Sequence, residues 1–175
     1  MSYLKKGLSR RGVLKAGTTS AIVAGVAPTM FVKNALADGY TNEPKGKTVT
    51  FGFNVPQSGA YADEGADELR AYQLAVDHIN GVGDGGMLNT FSSKALRGNG
   101  VNGKKVVYVT GDTQTKSDAA RASAKRMIEK DGAVMITGGS SSGVAIAVQG
   151  LCQDAGVIFM AGLTHSNDTT GKDKR

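Results

Sequence analysis

The chain of 175 residues has one cysteine, no tryptophan, three prolines and two histidines. A lone cysteine, Cys152, cannot close an internal disulfide, so stability has to come from a packed core; Cys152 itself reads as a small buried hydrophobe on a helix. Two distant histidines and one cysteine make no metal-ligand cluster, and His78, set among polar neighbours, reads as a surface residue. No pattern calls for a cofactor. Acidic residues are absent before Asp38, whereas Lys5, Lys6, Arg10, Arg11, Lys15 and Lys33 all precede it. Without those six, the 21 basic residues fall to 15, equal to the 15 acidic ones, so the formal charge of +6 belongs to the first segment alone. A neutral remainder with no basic run excludes a nucleic-acid partner, because phosphate neutralisation needs clustered Lys and Arg.

The basic start is organised. Ser9-Arg10-Arg11-Gly12-Val13-Leu14-Lys15 matches the twin-arginine export pattern at every position but Val13, where phenylalanine is usual. Behind it, Val13 to Ala27 is apolar but diluted by glycine, serine and threonine, too short and mild to span a bilayer. Ala35-Leu36-Ala37 supplies a small-x-small cleavage site. The expectation is a signal peptide over 1–37, cleaved after Ala37, with no nearby cysteine for a lipid anchor and the periplasm as destination. A polar linker over 38–47 would follow, leaving 48–175 for folding.

Over those residues, extended and helical patterns alternate. Thr48 to Val55 alternates and is rich in Val and Phe, a strand ending at Pro56-Gln57-Ser58-Gly59. Leu69, Tyr72, Val76 and Ile79 recur at three- and four-residue spacing and line one helix face, with Asp67, Glu68, Arg70 and Gln73 largely on the others. From Gly81 to Gly103, seven glycines with Asn and Ser break the pattern into a long surface excursion. Lys104 to Gly111 is a second strand. A helix capped by Ser117 or Thr115 then buries Ala120, Ala124, Met127 and Ile128 and closes at Gly132. Ala133 to Thr137 is a third strand. Val144, Val148, Leu151, Cys152 and Ala155 face inward on a third helix that stops at Gly156, and Val157 to Ala161 is a fourth strand. Strands separated by amphipathic helices need crossover connections, so the fold class is α/β: a parallel sheet with helices on both faces.

Ligands of such sheets gather at the carboxyl ends of the strands, where loops splay and helix N-termini offer free N–H groups. Three strand ends here are small and polar: Gln57-Ser58-Gly59, Gly138-Gly139-Ser140-Ser141-Ser142-Gly143, and Thr164-His165-Ser166. Hydroxyls that both donate and accept, beside glycines that admit a ligand close to the backbone, suit a small polar or zwitterionic solute. The serine run also spells G-x-S-x-G between a strand and a helix, the setting of a hydrolase nucleophile elbow. That alternative makes Ser141 an esterase nucleophile and requires His165 as base, with Asp154 on the intervening helix as its orienter.

The stretches Phe51–Asn80, Gly103–Val157 and the tail toward Thr170-Gly171 together resemble the periplasmic type I solute-binding proteins of the leucine/isoleucine/valine-binding kind. The resemblance implies a solute clamped between two lobes and handed to an ATPase-driven membrane permease, by a monomer with no enzymatic activity. It implies that 48–175 is a partial N-terminal lobe, since two lobes of about 150 residues each are expected. By the same resemblance, Ser141 matches a serine that holds an amino-acid carboxylate, flanked by Ser140 and Ser142. Leu163 and His165 match positions that hold the ammonium and carboxylate, and Ser58, Glu64 and Thr164 complete the site. Glu64 stands where members for aliphatic amino acids tend to carry an aromatic residue, and His165 where threonine is usual. A carboxylate and an imidazole suit a polar or cationic solute, an amino acid or amide, better than a branched hydrocarbon. A two-lobed sensor domain would share the same cleft.

Overall fold

The structure is a computed structural model and describes residues 42–44, 46–82 and 98–171. The signal segment over 1–37 and most of the glycine-rich excursion lie outside the described residues. Strand β1, Thr48–Val55, occupies the span expected from its alternation. One set of its side chains, Val49 and Phe53, packs under helix α1, Ala62–Asn80, together with Val76 of α1 and Val106 of strand β2, Lys105–Asp112. Phe53 is 2% exposed. It lies 5.0 Å from the Tyr72 ring and stacks 5.1 Å from that of Tyr108, pairs worth about 1 kcal/mol each beyond their burial.

The opposite face of the sheet carries a second cluster. Helix α2, Ser117–Glu129, contributes Ala120, Ala124, Met127 and Ile128, the four positions expected from its periodicity. Strand β3, Met135–Thr137, adds Ile136. Helix α3, Ser142–Asp154, adds Val144, Val148 and Cys152, and it also buries Ala145, which the expected face omitted. Leu151 and Ala155 are only half-buried against this cluster. Burial pushes the Cys152 thiol up to about 12, so it is an unreactive hydrophobe as expected. His78 is half-buried rather than fully on the surface. Between the clusters β1 shows its even residues to α2. Asn54 donates to the Ala120 carbonyl at 2.9 Å and accepts from the Ser123 hydroxyl at 2.5 Å, so a buried amide on this face is satisfied.

All strand pairs are parallel, in the order β2-β1-β3-β4, with β4 at Ile158–Met160. The register sets Val55 beside Asp112 and Phe53 beside Thr137, so the carboxyl ends of three strands finish close together. Strands β3 and β4 are three residues long, shorter than their apolar runs suggest. The ladder ends where Gly138 turns away and where Ala161 leaves the sheet. Helix α2 departs from expectation at both ends. Its N-cap is Lys116 with no side-chain cap, because the Thr115 hydroxyl is taken by the Tyr61 N–H at 3.3 Å. It ends at Lys130 rather than at Gly132, whose positive φ of 69° serves the turn into β3. A short helix α4, Asp168–Gly171, was not expected.

The start of α1 depends on one missing methyl. A Cβ placed on Gly65 would sit 1.8 Å from the Pro56 carbonyl oxygen, so only glycine lets the helix rest on the end of β1. The obstacle is backbone and cannot swing aside. Gly65→Ala is therefore expected to destabilise the folded chain by about 3 kcal/mol, read as a lowered urea midpoint at unchanged slope. A shift within about 0.5 kcal/mol, the range of ordinary surface changes, would show that α1 does not need this approach.

Candidate functional site

The chain leaves β1 toward β2 on one side and returns through α2 to β3 on the other. At such a reversal the loops leaving neighbouring strands diverge and open a crevice beyond their carboxyl ends. Here the diverging loops follow β1 and β3. The β3 loop opens through Gly138 at φ 118°, where an added Cβ would lie 2.4 Å from the Asn54 carbonyl oxygen, so it hugs the end of β1.

The β1 loop is held by Asp112 at the end of β2. Its Oδ1 accepts the Gln57 N–H at 2.9 Å, the Ser58 N–H at 3.2 Å and the Gln114 N–H at 2.8 Å, and its Oδ2 accepts the Ser58 hydroxyl at 2.6 Å. Slight desolvation pushes this carboxyl up, but the hydrogen bonds from the Ser58 hydroxyl and the three backbone N–H groups together outweigh it and hold Asp112 below its usual range. Ser58 thereby commits its hydroxyl hydrogen to Asp112. Gln114 and Thr115 take φ values of 51° and 56°, a left-handed conformation costing non-glycine residues about 1 kcal/mol or more each. The bonds to Asp112 and Thr113 keep them there.

A second carboxylate sits under the β3 loop. Glu68, on α1, is 5% exposed; its Oε1 takes the Tyr72 hydroxyl at 2.5 Å and its Oε2 the Ser140 hydroxyl at 3.2 Å. Beyond Tyr72, the Thr137 hydroxyl lies 3.2 Å from the Tyr72 oxygen and donates to the Met160 carbonyl at 2.9 Å. One polar chain thus joins the middle of α1 to the ends of β3 and β4. Burial raises the Glu68 carboxyl above its ordinary range, the Tyr72 and Ser140 hydroxyls pull it back, and Glu64 one turn earlier pushes it up again. Burial and the neighbouring carboxylate also raise the Tyr72 phenol.

Of the expected site residues, Ser140, Ser141 and Ser142 stand at the crevice. Ser141 is the N-cap of α3 without a side-chain cap bond, and Ser142 accepts the His165 backbone N–H at 3.2 Å, which brings the 163–165 loop alongside. Leu163 and His165 are exposed and Thr164 is half-buried. Glu64 lies exposed on the first turn of α1, and Ser58 is bound to Asp112. Glu68, Tyr72, Thr137 and Asp112 were missed. Glu68 was placed with the solvent face although it precedes Tyr72 by four residues and Val76 by eight. That spacing puts it on the buried stripe.

The elbow alternative fails on distance. Helix α3 runs from Ser142 to Asp154, so at 1.5 Å per residue Asp154 lies about 18 Å from the serines, at the far end. Among the described residues, His165 meets the serine run through its backbone N–H and not its imidazole. A concavity bordered by Arg121, Lys125, Glu129, Leu151 and Asp154 lies along α2 and α3, away from the strand ends. Its basic and acidic side chains alternate on an open surface.

Comparison with known proteins agrees with this geometry. A family model described as periplasmic binding protein matches residues 48–174. Over 124 residues the chain is 30% identical to Leu/Ile/Val-binding protein homolog 8 of Brucella abortus (strain 2308), covering 71% of this chain and 27% of that relative. The branched-chain amino acid transporter substrate-binding protein LivJ of Streptococcus pneumoniae, solved with isoleucine, superposes with a TM-score of 0.60 at 24% identity, covering 71% of this chain and 31% of that one. A solute-binding protein of an ABC transporter from Rhodopseudomonas palustris BisB5, solved with 3,4-dihydroxybenzoic acid, gives a TM-score of 0.57 at 22% identity, covering 71% and 30%. The chain spans under a third of the length of these relatives.

The raised Glu68 carboxyl makes stability depend on pH in a defined direction. The folded chain holds this proton more tightly than the unfolded one, so the contribution is complete below the unfolded value and is lost as pH rises through the folded one. Glu68→Gln keeps the shape and removes the ionisation. Its melting temperature relative to the parent is expected to climb as pH rises above the ordinary carboxylate range, by roughly 2–8 °C for each kcal/mol lost by the parent. A difference that stays flat over that rise would show that Glu68 titrates normally.

Proposed function

Because this chain belongs to the periplasmic binding protein family, we propose that it supplies the solute-capturing component of an ABC importer, holding a small polar solute at the carboxyl edge of its sheet. The observation that carries this reading is that the β1 and β3 loops part at the reversal of strand order, with three consecutive serines at the mouth and the 163–165 loop alongside them. The serines have the hydroxyls to hold a carboxylate, and the first-turn N–H groups of α3 lack partners within their own helix. An amino acid or amide fits this chemistry, and the relatives solved with isoleucine and with a dihydroxybenzoic acid are consistent with an anionic solute group. The whole exported molecule would be a periplasmic monomer, with residues 48–175 forming part of its N-terminal lobe and a membrane permease receiving the solute. Export through the twin-arginine route, with cleavage after Ala37, follows from the segment Ser9 to Lys15 and from Ala35-Leu36-Ala37.

Capture without chemistry has a plain signature. In a thermal-shift screen of amino acids, amides, polyamines, small organic acids and hydroxybenzoates against the full exported chain, a ligand present at 100 times its Kd is expected to add about 2.7 kcal/mol of stability. Ser141 is expected to resist fluorophosphonate labelling, since no imidazole among the described residues is hydrogen-bonded to it. Rapid labelling of Ser141 together with an absence of any stabilising solute would overturn the reading. The export route is tested separately: replacing Arg10 and Arg11 with lysine is expected to leave the precursor uncleaved in the cytoplasm, and unchanged export on cell fractionation would exclude the twin-arginine pathway.

A further inference from the structure

Glu68 is a buried carboxylate that solute capture, as described so far, does not use. Its two oxygens have different partners, and the difference fixes a direction. Oε1 shares a hydrogen with the Tyr72 hydroxyl across 2.5 Å, and Oε2 faces the Ser140 hydroxyl at 3.2 Å. With Glu68 ionised, as it is once the pH lies above its raised range, both carboxylate oxygens can only accept, Tyr72 keeps its own proton, and the Ser140 hydrogen points at Glu68. Ser140 keeps only lone pairs for the crevice. Two residues on, the arrangement is reversed: the Ser142 oxygen accepts the His165 N–H, and its own hydrogen stays free to be donated. The far end of the chain is anchored as well, because the Met160 carbonyl can only accept and therefore takes the Thr137 hydrogen.

We propose that Glu68 is a positioning residue that fixes Ser140 as a hydrogen-bond acceptor next to the donor Ser142. The site then takes a solute bearing an N–H or O–H donor beside an anionic group, in one orientation, and rejects the same solute without the donor. This rests on the solute-capture reading of the crevice. A free serine hydroxyl rotates to suit donors and acceptors alike and selects between them weakly; a hydroxyl pinned by a buried carboxylate cannot. A solute that brings no donor leaves the Ser140 oxygen desolvated and unpaired, which is how a polar site discriminates.

The test uses the full exported chain with L-leucine, L-glutamine and L-lysine, each beside its 2-hydroxy acid and its unsubstituted carboxylic acid, and 4-hydroxybenzoate as a tenth probe. Titration calorimetry is expected to show the amino or hydroxy acid of at least one trio binding roughly tenfold or more tighter than the unsubstituted acid. That ratio is expected to collapse several-fold in Ser140→Ala and in Glu68→Leu, and to survive in Ser140→Thr, which restores the hydroxyl. A purely structural Glu68 would lower stability and leave the ratio between probes unchanged. Ser140→Ala is a small change at a half-buried position and keeps the test decisive where Glu68→Leu fails to fold. An unsubstituted acid binding as tightly as its amino acid, or a ratio unmoved in Ser140→Ala, overturns the proposal and leaves solute capture standing. Binding of 4-hydroxybenzoate alone does the same. Binding of none of the ten overturns the proposal together with the reading beneath it.

Discussion

Strand β1 is hydrogen-bonded along both edges, to β2 on one side and to β3 on the other, in parallel throughout. A strand in that position has no solvent-facing edge, and parallel crossovers bring helices over both of its faces. Its side chains therefore serve two cores at once: Val49 and Phe53 toward α1, and Gly52 and Asn54 toward α2. The same two-sided pairing fixes where a ligand would meet the fold. Because the chain departs from β1 in one direction and comes back on the other, the loops after β1 and β3 separate at its carboxyl end.

Two carboxylates brace that gap, and their surroundings shift them in opposite directions. Asp112 lies near the surface and is surrounded by four hydrogen-bond donors, which favour its charge. Glu68 lies within the structure, and its burial disfavours charge more than two hydroxyls favour it. The first carboxylate makes a rigid bracket of the β1 and β2 loops, strong enough to hold Gln114 and Thr115 in a left-handed backbone. The second ties the serine loop to α1 and, through Tyr72 and Thr137, to the end of β4.

Family membership and physical reading meet at the serine run. The family match covers residues 48–174 and establishes what kind of fold this is. It does not reach the direction in which each hydroxyl points. That direction comes from neighbours such as Glu68 and the His165 N–H, which lie 72 and 23 residues from their serine partners. Solutes as unlike as isoleucine and a dihydroxybenzoic acid occupy structures that superpose on this one. Side-chain detail of this kind, rather than the shared sheet, has to separate them.

The sequence by itself determined the elements and their order. The bounds of β1, the buried face of α2, the parallel sheet and the serine-rich strand end were all readable, because side chains repeating with period 2 or 3.6 report local geometry directly. It also determined that the net positive charge is confined to the first 37 residues. The hydrogen-bond partners of Ser58, Glu68, Thr115 and Asp112 were decided only by tertiary structure. Thr115 looked like a helix cap until the Tyr61 N–H reached it across 54 residues, and the Ser58 hydroxyl hydrogen is committed to Asp112 across the same separation. Glu68 looked like a solvated charge, although its spacing from Tyr72 and Val76 already set it on the buried stripe. What made the burial tolerable was Tyr72 on the same helix and Ser140 beyond another strand. Periodicity tells which way a side chain points, but the partner that satisfies a buried polar atom comes from wherever the fold brings it, and that pairing exists only once the chain has closed.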